Sequence, residues 1–173
     1  MRNLIAIGGD RNEVLFFDAE TGQGKGRALG CTSSILDLQF NSLGTLLAAA
    51  SGDNSIYIWS LENFGLVKVL TGHISRVVSI KFSQDSSRIP RQNCEDLGGV
   101  YRELTILVTG HMDCGIRAWN VQTGNKIRES KVSKDAIVAL DLSQDKGQIL
   151  ASSRDGTISV LDSTSFDRLW TLS

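Results

Sequence analysis

His73 and Asp113 are the residues of this 173-residue chain that we consider first as candidates for acid–base catalysis. With a serine or threonine they could form a hydrolase triad, in which an imidazole activates a hydroxyl nucleophile and a carboxylate orients the imidazole. Such a nucleophile is often presented on a strained G-x-S-x-G turn between a strand and a helix, and the chain has no such sequence. We therefore predict no catalytic residues and expect His73 and Asp113 to be structural.

A metal site could be built around His111-x-x-Cys114, with Cys94 nearby in sequence. A closed zinc site needs four nitrogen or sulfur ligands, usually paired at short spacing. The other histidine and cysteine, His73 and Cys31, are better explained as parts of the fold. The sequence therefore predicts no bound metal.

A third candidate is a glycine-rich segment, Gly22-Gln23-Gly24-Lys25-Gly26, which is similar to a loop that holds phosphate. A P-loop requires serine or threonine after its lysine, followed by a helix. Lys25 is instead followed by Gly26, and no helical pattern comes after it. We interpret the segment as a turn between strands and predict no cofactor.

Composition narrows the class of protein. The chain has 18 basic and 19 acidic residues, a balance that does not favour nucleic acid or anionic membranes as partners. Its three cysteines are widely spaced and odd in number, which favours a reducing compartment. The apolar run Leu4–Ile7 is too short for a signal peptide, and no run has the roughly 18 apolar residues of a membrane helix. We expect a cytoplasmic protein without direct membrane insertion.

The elements that position these residues form a repeat. Asp10, Asp53, Asp113 and Asp155 each follow a run of small or apolar residues, at spacings of 43, 60 and 42 residues. Two of these spacings match the roughly 40–45 residues of a four-stranded propeller blade. After the last three aspartates, an apolar residue follows at three positions and Trp59, Trp119 or Leu161 at six. In the first unit these residues come one position later, which predicts a turn that is one residue longer.

A further strand precedes three of the units. Its apolar residues recur with one spacing, at 35, 38 and 40, at 77, 80 and 82, and at 137, 140 and 142. A fourth, more polar run follows each strand that contains Trp59, Trp119 or Leu161, as expected of a half-exposed outer strand. The sequence predicts an all-β chain of about four units, at about 1–29, 30–72, 73–130 and 131–173, the first without its innermost strand.

The segments LTGH (70–73), IYIWS (56–60), IRAWN (116–120) and ISVLD (158–162) resemble WD40 repeats. The resemblance implies a partial β-propeller of about four blades whose ring is incomplete, so that the terminal blades expose faces that a closed ring would bury. Three longer stretches resemble the C-terminal propeller of the autophagy-related protein 16-like family. They are ILDLQFNSLGTLLAAASGDN, VKVLTGHISRVVSIKF and the run from Thr109 to Asp162.

WD40 blades often carry a hydrogen-bonded network of histidine, serine or threonine, aspartate and tryptophan. By resemblance, only the third unit has every member: His73, Thr109, Asp113 and Trp119. The remaining units supply parts of this structural network, namely Asp53 and Trp59, Asp155, and Asp10. The loops and turns that hold these aspartates form the partner-binding face of a propeller. Our candidate contacts on this face are Arg11, Arg76, Met112, Lys134 and Arg154.

Residues 90–104 fit no strand of the repeat and lie within the 60-residue spacing. An insertion of about 18 residues into one blade would explain them, and so would a deletion of about 24 residues that fuses two blades. The family resemblance favours deletion. If the segment is an insertion, His73 and Asp113 belong to one blade and should be hydrogen-bonded. In either case we expect an irregular junction at 90–104.

Two functions follow from the resemblance. The first is a non-catalytic scaffold of the autophagy conjugation machinery, which binds other proteins and directs conjugation of a ubiquitin-like protein to membranes. Such a scaffold would be recruited indirectly to autophagic or endolysosomal membranes. The second is a generic WD40 adaptor, such as the substrate receptor of a ubiquitin ligase.

Overall fold

A computed structural model describes residues 3–83, 105–143 and 145–173. The described residues contain fifteen β-strands and no helix, which confirms the all-β prediction. The strands are β1 (Leu4–Gly8), β2 (Val14–Asp18), β3 (Gly24–Ala28), β4 (Ile35–Phe40), β5 (Leu46–Ser51), β6 (Ile56–Ser60), β7 (Leu66–Leu70), β8 (Val77–Ser83), β9 (Ile106–His111), β10 (Gly115–Asn120), β11 (Lys126–Lys131), β12 (Ile137–Ser143), β13 (Gln148–Ser153), β14 (Ile158–Asp162) and β15 (Arg168–Leu172).

These strands form four antiparallel sheets in which each strand pairs with the next one in the chain. The first sheet has three strands, β1 to β3, and the others have four: β4 to β7, β8 to β11, and β12 to β15. The repeat of a four-stranded unit, with an innermost strand missing from the first, is the architecture of a partial WD40 propeller. Each sheet is one blade.

Strand position explains the pattern of burial. Central strands have neighbours on both edges and a sheet on either face, so β5 and β6 are buried along most of their length. The outermost strand β15 is exposed at all five positions. Each innermost strand has a register shift near its start, as between Ile35 and Asp37 of β4. Bulges of this kind increase local twist.

The hydrophobic core lies between the blades. Three clusters of buried side chains each combine residues of two adjacent sheets, such as Phe16 of β2 with Trp59 of β6, or Ile116 of β10 with Leu161 of β14. The middle cluster brings Ile58 of β6 together with Ile80 of β8. Because alternate residues of a strand point to opposite faces, one blade contributes to the clusters on both of its sides.

The innermost strands also fit closely against the blade before them. A Cβ atom on Gly8 would lie 2.8 Å from Cγ2 of Ile35, and one on Gly110 would lie 2.7 Å from Cγ2 of Ile137. The backbone N–H of Ile80 donates to Oδ2 of Asp37 in the preceding blade at 2.8 Å. These contacts join successive blades through packing and directed hydrogen bonds.

The terminal blades have exposed apolar residues on the faces that no other described blade covers. On β1, Ile5 and Ile7 are 47% and 54% exposed, and Trp170 on β15 is 47% exposed.

None of the described segments forms a helix with the length and apolarity that crossing a bilayer requires.

The first turn differs from the prediction. Gly8 pairs with Val14 and Ala50 pairs with Ile56, so the turns of the first and second blades both hold five residues. The prediction of a longer first turn is therefore wrong. The two turns have the same length, and Asp10 lies one position earlier in its turn than Asp53 does. The register places Arg11, not Asp10, at the position that Asp53 has in the second blade.

The third sheet combines β8 with β9 to β11, in a register that runs from Val77 opposite His111 to Ser83 opposite Ile106. The predicted irregular junction at 90–104 lies outside the described residues. The inner strand before the junction and the three strands after it therefore form one blade.

Candidate protein-interaction face and the network beneath it

One edge of the blades collects the loop before each innermost strand and the turn between the second and third strands. In three blades, a backbone hydrogen bond joins the turn to the loop: Gly52 N to Ser34 O at 2.8 Å, Met112 N to Arg76 O at 3.1 Å, and Arg154 N to Ala136 O at 2.9 Å. These equivalent bonds bring the loops and turns to the same edge. We call this edge the loop face.

All five candidate contacts lie on the loop face, and all are exposed. They are Arg11, Arg76, Met112, Lys134 and Arg154. Ile74, which is 84% exposed beside the buried His73, is a further candidate contact that was not predicted from the sequence. A large aliphatic residue at the tip of a loop that otherwise resembles a repeat consensus was the signal that could have found it. Met112, at 41% exposed, is the other large apolar side chain of the third blade on this face.

Thr109 is the centre of the network beneath this face. Its hydroxyl oxygen accepts a hydrogen bond from Nε1 of Trp119 at 3.1 Å and lies 2.8 Å from Nε2 of His111. Nδ1 of His111 lies 3.3 Å from the carbonyl oxygen of Ser75. Since a carbonyl only accepts, Nδ1 carries the proton, and Nε2 of the neutral ring can only accept. It shares the single proton of the Thr109 hydroxyl with the carbonyl oxygen of Arg117, which lies 3.2 Å from that hydroxyl. The sequence suggested only a zinc-ligand role for His111, but in the structure its side chain is hydrogen-bonded to Thr109.

The environment of His73 differs from the one expected if residues 90–104 are an insertion into a single blade. It is 7% exposed, and its ring lies 4.2 Å from that of Trp119 and 5.3 Å from that of His111. Neither of its nitrogen atoms has a hydrogen-bond partner in the part of the chain that the structure describes. The hydrogen bond to Asp113 that an insertion would predict is therefore not formed.

The reason is that Arg117 binds the carboxylate of Asp113. Nη1 and Nη2 of this arginine donate to the two oxygens of Asp113 at 3.1 and 2.5 Å, and Nε donates to Glu129 at 3.3 Å. The Arg117 side chain is 7% exposed, so a paired carboxylate is needed to offset its burial. Burial raises the pKa of Asp113, but the guanidinium outweighs it and the net shift is downward.

Both histidines are held in the neutral form. Burial, with smaller contributions from His111 and Arg117, lowers the pKa of His73 from 6.5 to about 3. Burial and Arg117 lower the pKa of His111 to about 4. An imidazole that has no counter-ion and is removed from water binds a proton weakly.

In the second blade, Asp53 and Trp59 were predicted as members of the network, but their hydrogen-bond partners were not. Asp53 accepts hydrogen bonds from the hydroxyls of Thr32 and, at 2.8 Å, Tyr57. Burial raises its pKa, but these bonds more than offset the effect and lower it overall. Nε1 of Trp59 donates to the carbonyl oxygen of Leu29 at 2.9 Å. A tyrosine four residues after the aspartate, within a strand, was the available signal.

In the fourth blade, Asp155 accepts from the hydroxyl of Thr157 at 2.6 Å and from the backbone of Lys134 at 2.9 Å. These hydrogen bonds lower the pKa of Asp155 below the ordinary aspartate value. Asp10 is exposed in the first blade, where the register gives the equivalent position to Arg11. The aspartates therefore have different partners in different blades.

The other candidate chemistry is placed as follows. No group of three or more histidine, cysteine, aspartate or glutamate residues that could hold a metal occurs among the described residues. Cys31 is buried, which raises the pKa of its thiol to about 12. The glycine-rich segment is a turn only at Gly22 and Gln23. The prediction of a turn is wrong for Gly24 to Gly26, because these residues pair with β2 as the start of strand β3.

Comparison with known families agrees with this architecture. The model of the WD40 family, described as "WD domain, G-beta repeat", matches residues 25–60, 64–120 and 124–162. These matches cover well over half of the chain, and the chain therefore belongs to the WD40 repeat family. WD40 domains are protein-interaction scaffolds that bind other proteins.

Several curated proteins are similar to the chain. Protein tipD of Dictyostelium discoideum is 29% identical over 195 aligned positions, which cover 98% of this chain and 32% of tipD. Autophagy-related protein 16 of Arabidopsis thaliana is 25% identical, covering 97% of this chain and 38% of the relative. WD repeat and SOCS box-containing protein 1 of Takifugu rubripes is 38% identical over 86 positions, covering 49% of this chain and 20% of the relative. The chain thus spans about a third of the length of the first two.

Proposed function

We propose that this chain is an interaction module of an autophagy conjugation scaffold, which binds protein partners and directs conjugation of a ubiquitin-like protein to membranes. The observation that carries the proposal is the similarity to autophagy-related protein 16 of Arabidopsis thaliana across 97% of the chain. The name of that relative, and not the extent of the alignment, carries the proposal, because WD40 proteins of other names are also similar across nearly the whole chain.

The loop face supplies the surface for such partners. It combines the exposed apolar residues Ile74 and Met112 with the cations Arg76, Lys134 and Arg154. Apolar anchors surrounded by polar residues are typical of protein-binding surfaces, where a few central side chains dominate affinity. Recruitment to autophagic or endolysosomal membranes would then be indirect, through those partners, and the chain itself would act in the cytoplasm.

A capture experiment tests this function. The tagged chain is expressed in cells with induced autophagy, and the proteins it captures are identified by quantitative mass spectrometry. The wild type is compared with a loop-face variant, Ile74→Asp with Met112→Asp, and with Leu43→Asp as a matched control. Leu43 is 59% exposed in the turn between β4 and β5, at the opposite edge of the blades.

We expect enzymes of the ubiquitin-like conjugation pathway in the wild-type and Leu43→Asp samples, and their loss from the loop-face variant. If those enzymes are absent from the wild-type sample, or are retained equally by the loop-face variant, the proposal is wrong.

A second function has support from a different observation. Similarity to the WD repeat and SOCS box-containing protein favours an adaptor that presents substrates to a ubiquitin ligase. In the same experiment this function predicts capture of ligase subunits and of ubiquitylated proteins. Recovery of those subunits without the conjugation enzymes would favour the adaptor.

We also infer that the chain does not catalyse a reaction. His73 has no hydrogen-bond partner among the described residues, and Asp113 is bound to Arg117, so the two cannot act together as base and orienting carboxylate. Hydrolytic turnover by the purified chain that disappears in His73→Ala, with the fold intact, would contradict this inference.

We propose further that the third blade joins parts of two repeats. The alignment with tipD has 195 positions, whereas 98% of 173 residues is about 170, so tipD has about 25 residues that this chain lacks. That number is close to the 24 residues expected for a deletion. His73 would then have lost its original aspartate. Sequencing the gene and its transcripts across residues 85–110 tests this history. Coding sequence for about 24 further residues at this junction, as the tipD alignment implies, would support the deletion. A gene in which this junction is continuous, with no such sequence, would support an insertion.

A further inference from the structure

The stack of His73 on His111 lies directly under the loop face. His111 is fully buried and His73 is 7% exposed, and their ring centroids are 5.3 Å apart. The two rings lie on opposite sides of the contact between the loop before β8 and the turn between β9 and β10. His73 is in the loop before β8, residues 71–76, and His111 ends β9 at the start of the turn 111–115.

The charged groups around this stack disfavour a proton on either ring. Arg117 disfavours a proton on both imidazoles, and His111 also disfavours one on His73. Asp113 and Glu129 favour a charged His111, but both carboxylates are bound to the guanidinium of Arg117. The ring of His73 also lies 4.2 Å from the indole of Trp119. No described acceptor is therefore available to a protonated His73.

We propose that the His73–His111 stack makes the contact between loop 71–76 and turn 111–115 acid-sensitive, so that mild acidification opens this part of the loop face. Protonation of His73 in the closed contact would bury a cation beside Arg117 without a partner. In an open contact the ring reaches water and binds a proton normally. Acid therefore shifts the equilibrium to the open form, in which Ile74, Arg76 and Met112 no longer have fixed relative positions.

The size of the effect follows from proton linkage. An accessible histidine titrates near pH 6.5, and the pKa of His73 in the closed contact is about 3. Between pH 7.5 and pH 5 the open form gains one proton at this site and the closed form gains none. The opening equilibrium constant then rises by about 30-fold for His73 alone. The structural proposal stands without a partner, and only its effect on binding rests on the proposed function.

Backbone hydrogen exchange measures the opening. The amide of Met112, which donates to Arg76 O, reports the third blade. The equivalent amides of Gly52 and Arg154, which donate to Ser34 O and Ala136 O, are internal controls, because their blades have no buried histidine. Exchange of the whole chain is followed by NMR from pH 7.5 to pH 5, and each rate is corrected for intrinsic exchange at that pH.

We expect protection of the Met112 amide to fall by about 30-fold or more on acidification, relative to the amides of Gly52 and Arg154. In His73→Phe, which keeps a ring against Trp119 and cannot titrate, the roughly 30-fold contribution of His73 should disappear, leaving only the contribution of His111. If protection at Met112 follows the two control amides across the pH range, the proposal is overturned.

A second measurement does not depend on a variant that folds. The chain has two histidines, so the wild type gives two sets of imidazole signals, and the ring of His73 can be identified by its nuclear Overhauser contacts to the indole of Trp119, whose centroid lies 4.2 Å away. We expect neither folded-state signal to titrate above pH 5. Titration of the His73 ring near pH 6.5 in the folded chain would show that its charged form is accommodated, and the proposal would be wrong.

Discussion

The hydroxyl of Thr109 should contribute several kcal/mol to the stability of the third blade. It joins Trp119 and His111, and all three residues are buried. Thr109→Val keeps the branched shape but removes the oxygen. The indole N–H of Trp119 and Nε2 of His111 then have no partner at this position, and each unsatisfied buried group costs about 1–3 kcal/mol. We expect the free energy of unfolding to fall by roughly 2–5 kcal/mol.

Urea denaturation followed by tryptophan fluorescence measures this loss. The matched control is Thr123→Val, because Thr123 lies in an exposed turn where its hydroxyl accepts only from the backbone N–H of Asn125 at 3.2 Å. We expect the control to change stability by no more than about 1 kcal/mol.

One result would refute the reasoning about Thr109. The second blade has Ala49 at the equivalent position, and there Trp59 donates to the carbonyl oxygen of Leu29 at 2.9 Å. If Thr109→Val has the stability of the wild type within about 0.5 kcal/mol, the indole of Trp119 must find a carbonyl in the same way. The hydroxyl would then be dispensable.

Three other substitutions test the contacts that hold the blades. Gly110→Ala should destabilise the chain by about 1–3 kcal/mol in the same urea assay, because the added Cβ would lie 2.7 Å from a side-chain carbon of the next blade. Its control is Gly9→Ala, whose added Cβ would meet nothing within 4 Å and should leave stability unchanged. Trp59→Phe should lower stability by about 1–3 kcal/mol through its lost hydrogen bond and contacts, and Trp170→Phe, on the exposed outer strand, should have little effect. Asp113→Asn should lower the free energy of unfolding by about 3 kcal/mol, because the buried guanidinium it binds would lose a charged partner. The loss should be similar at low and high salt, since a buried pair is weakly screened; a variant as stable as the wild type would contradict this.

The strands could be predicted because their information is local. The triads at 35/38/40, 77/80/82 and 137/140/142 begin the three complete blades, as β4, β8 and β12. A strand buried on both faces needs apolar residues on both, and a strand at an edge does not. The exposed β15 and the buried β5 follow this rule. Fold class and strand order therefore needed no long-range information.

The side-chain network could be predicted only in part, because its partners come from different segments. Thr109 and Trp119 are brought together by antiparallel pairing of neighbouring strands, and their positions in the repeat predict this. The binding of Asp113 by Arg117 depends on a cation within an apolar central strand, IRAWN. A buried arginine requires a carboxylate, and this was the signal that Asp113 would be unavailable to His73.

The different partners of the aspartates show which part of the fold tolerates change. Asp53 binds hydroxyls, Asp113 binds a guanidinium and Asp155 binds a hydroxyl and a backbone amide. The turn-to-loop hydrogen bond is nevertheless present in each of these three blades, at 2.8, 3.1 and 2.9 Å. Since the apolar cores between the blades already fix the strands, the turn needs only some set of donors for its carboxylate. The residues beside that carboxylate can therefore differ from blade to blade on the loop face while the fold stays the same.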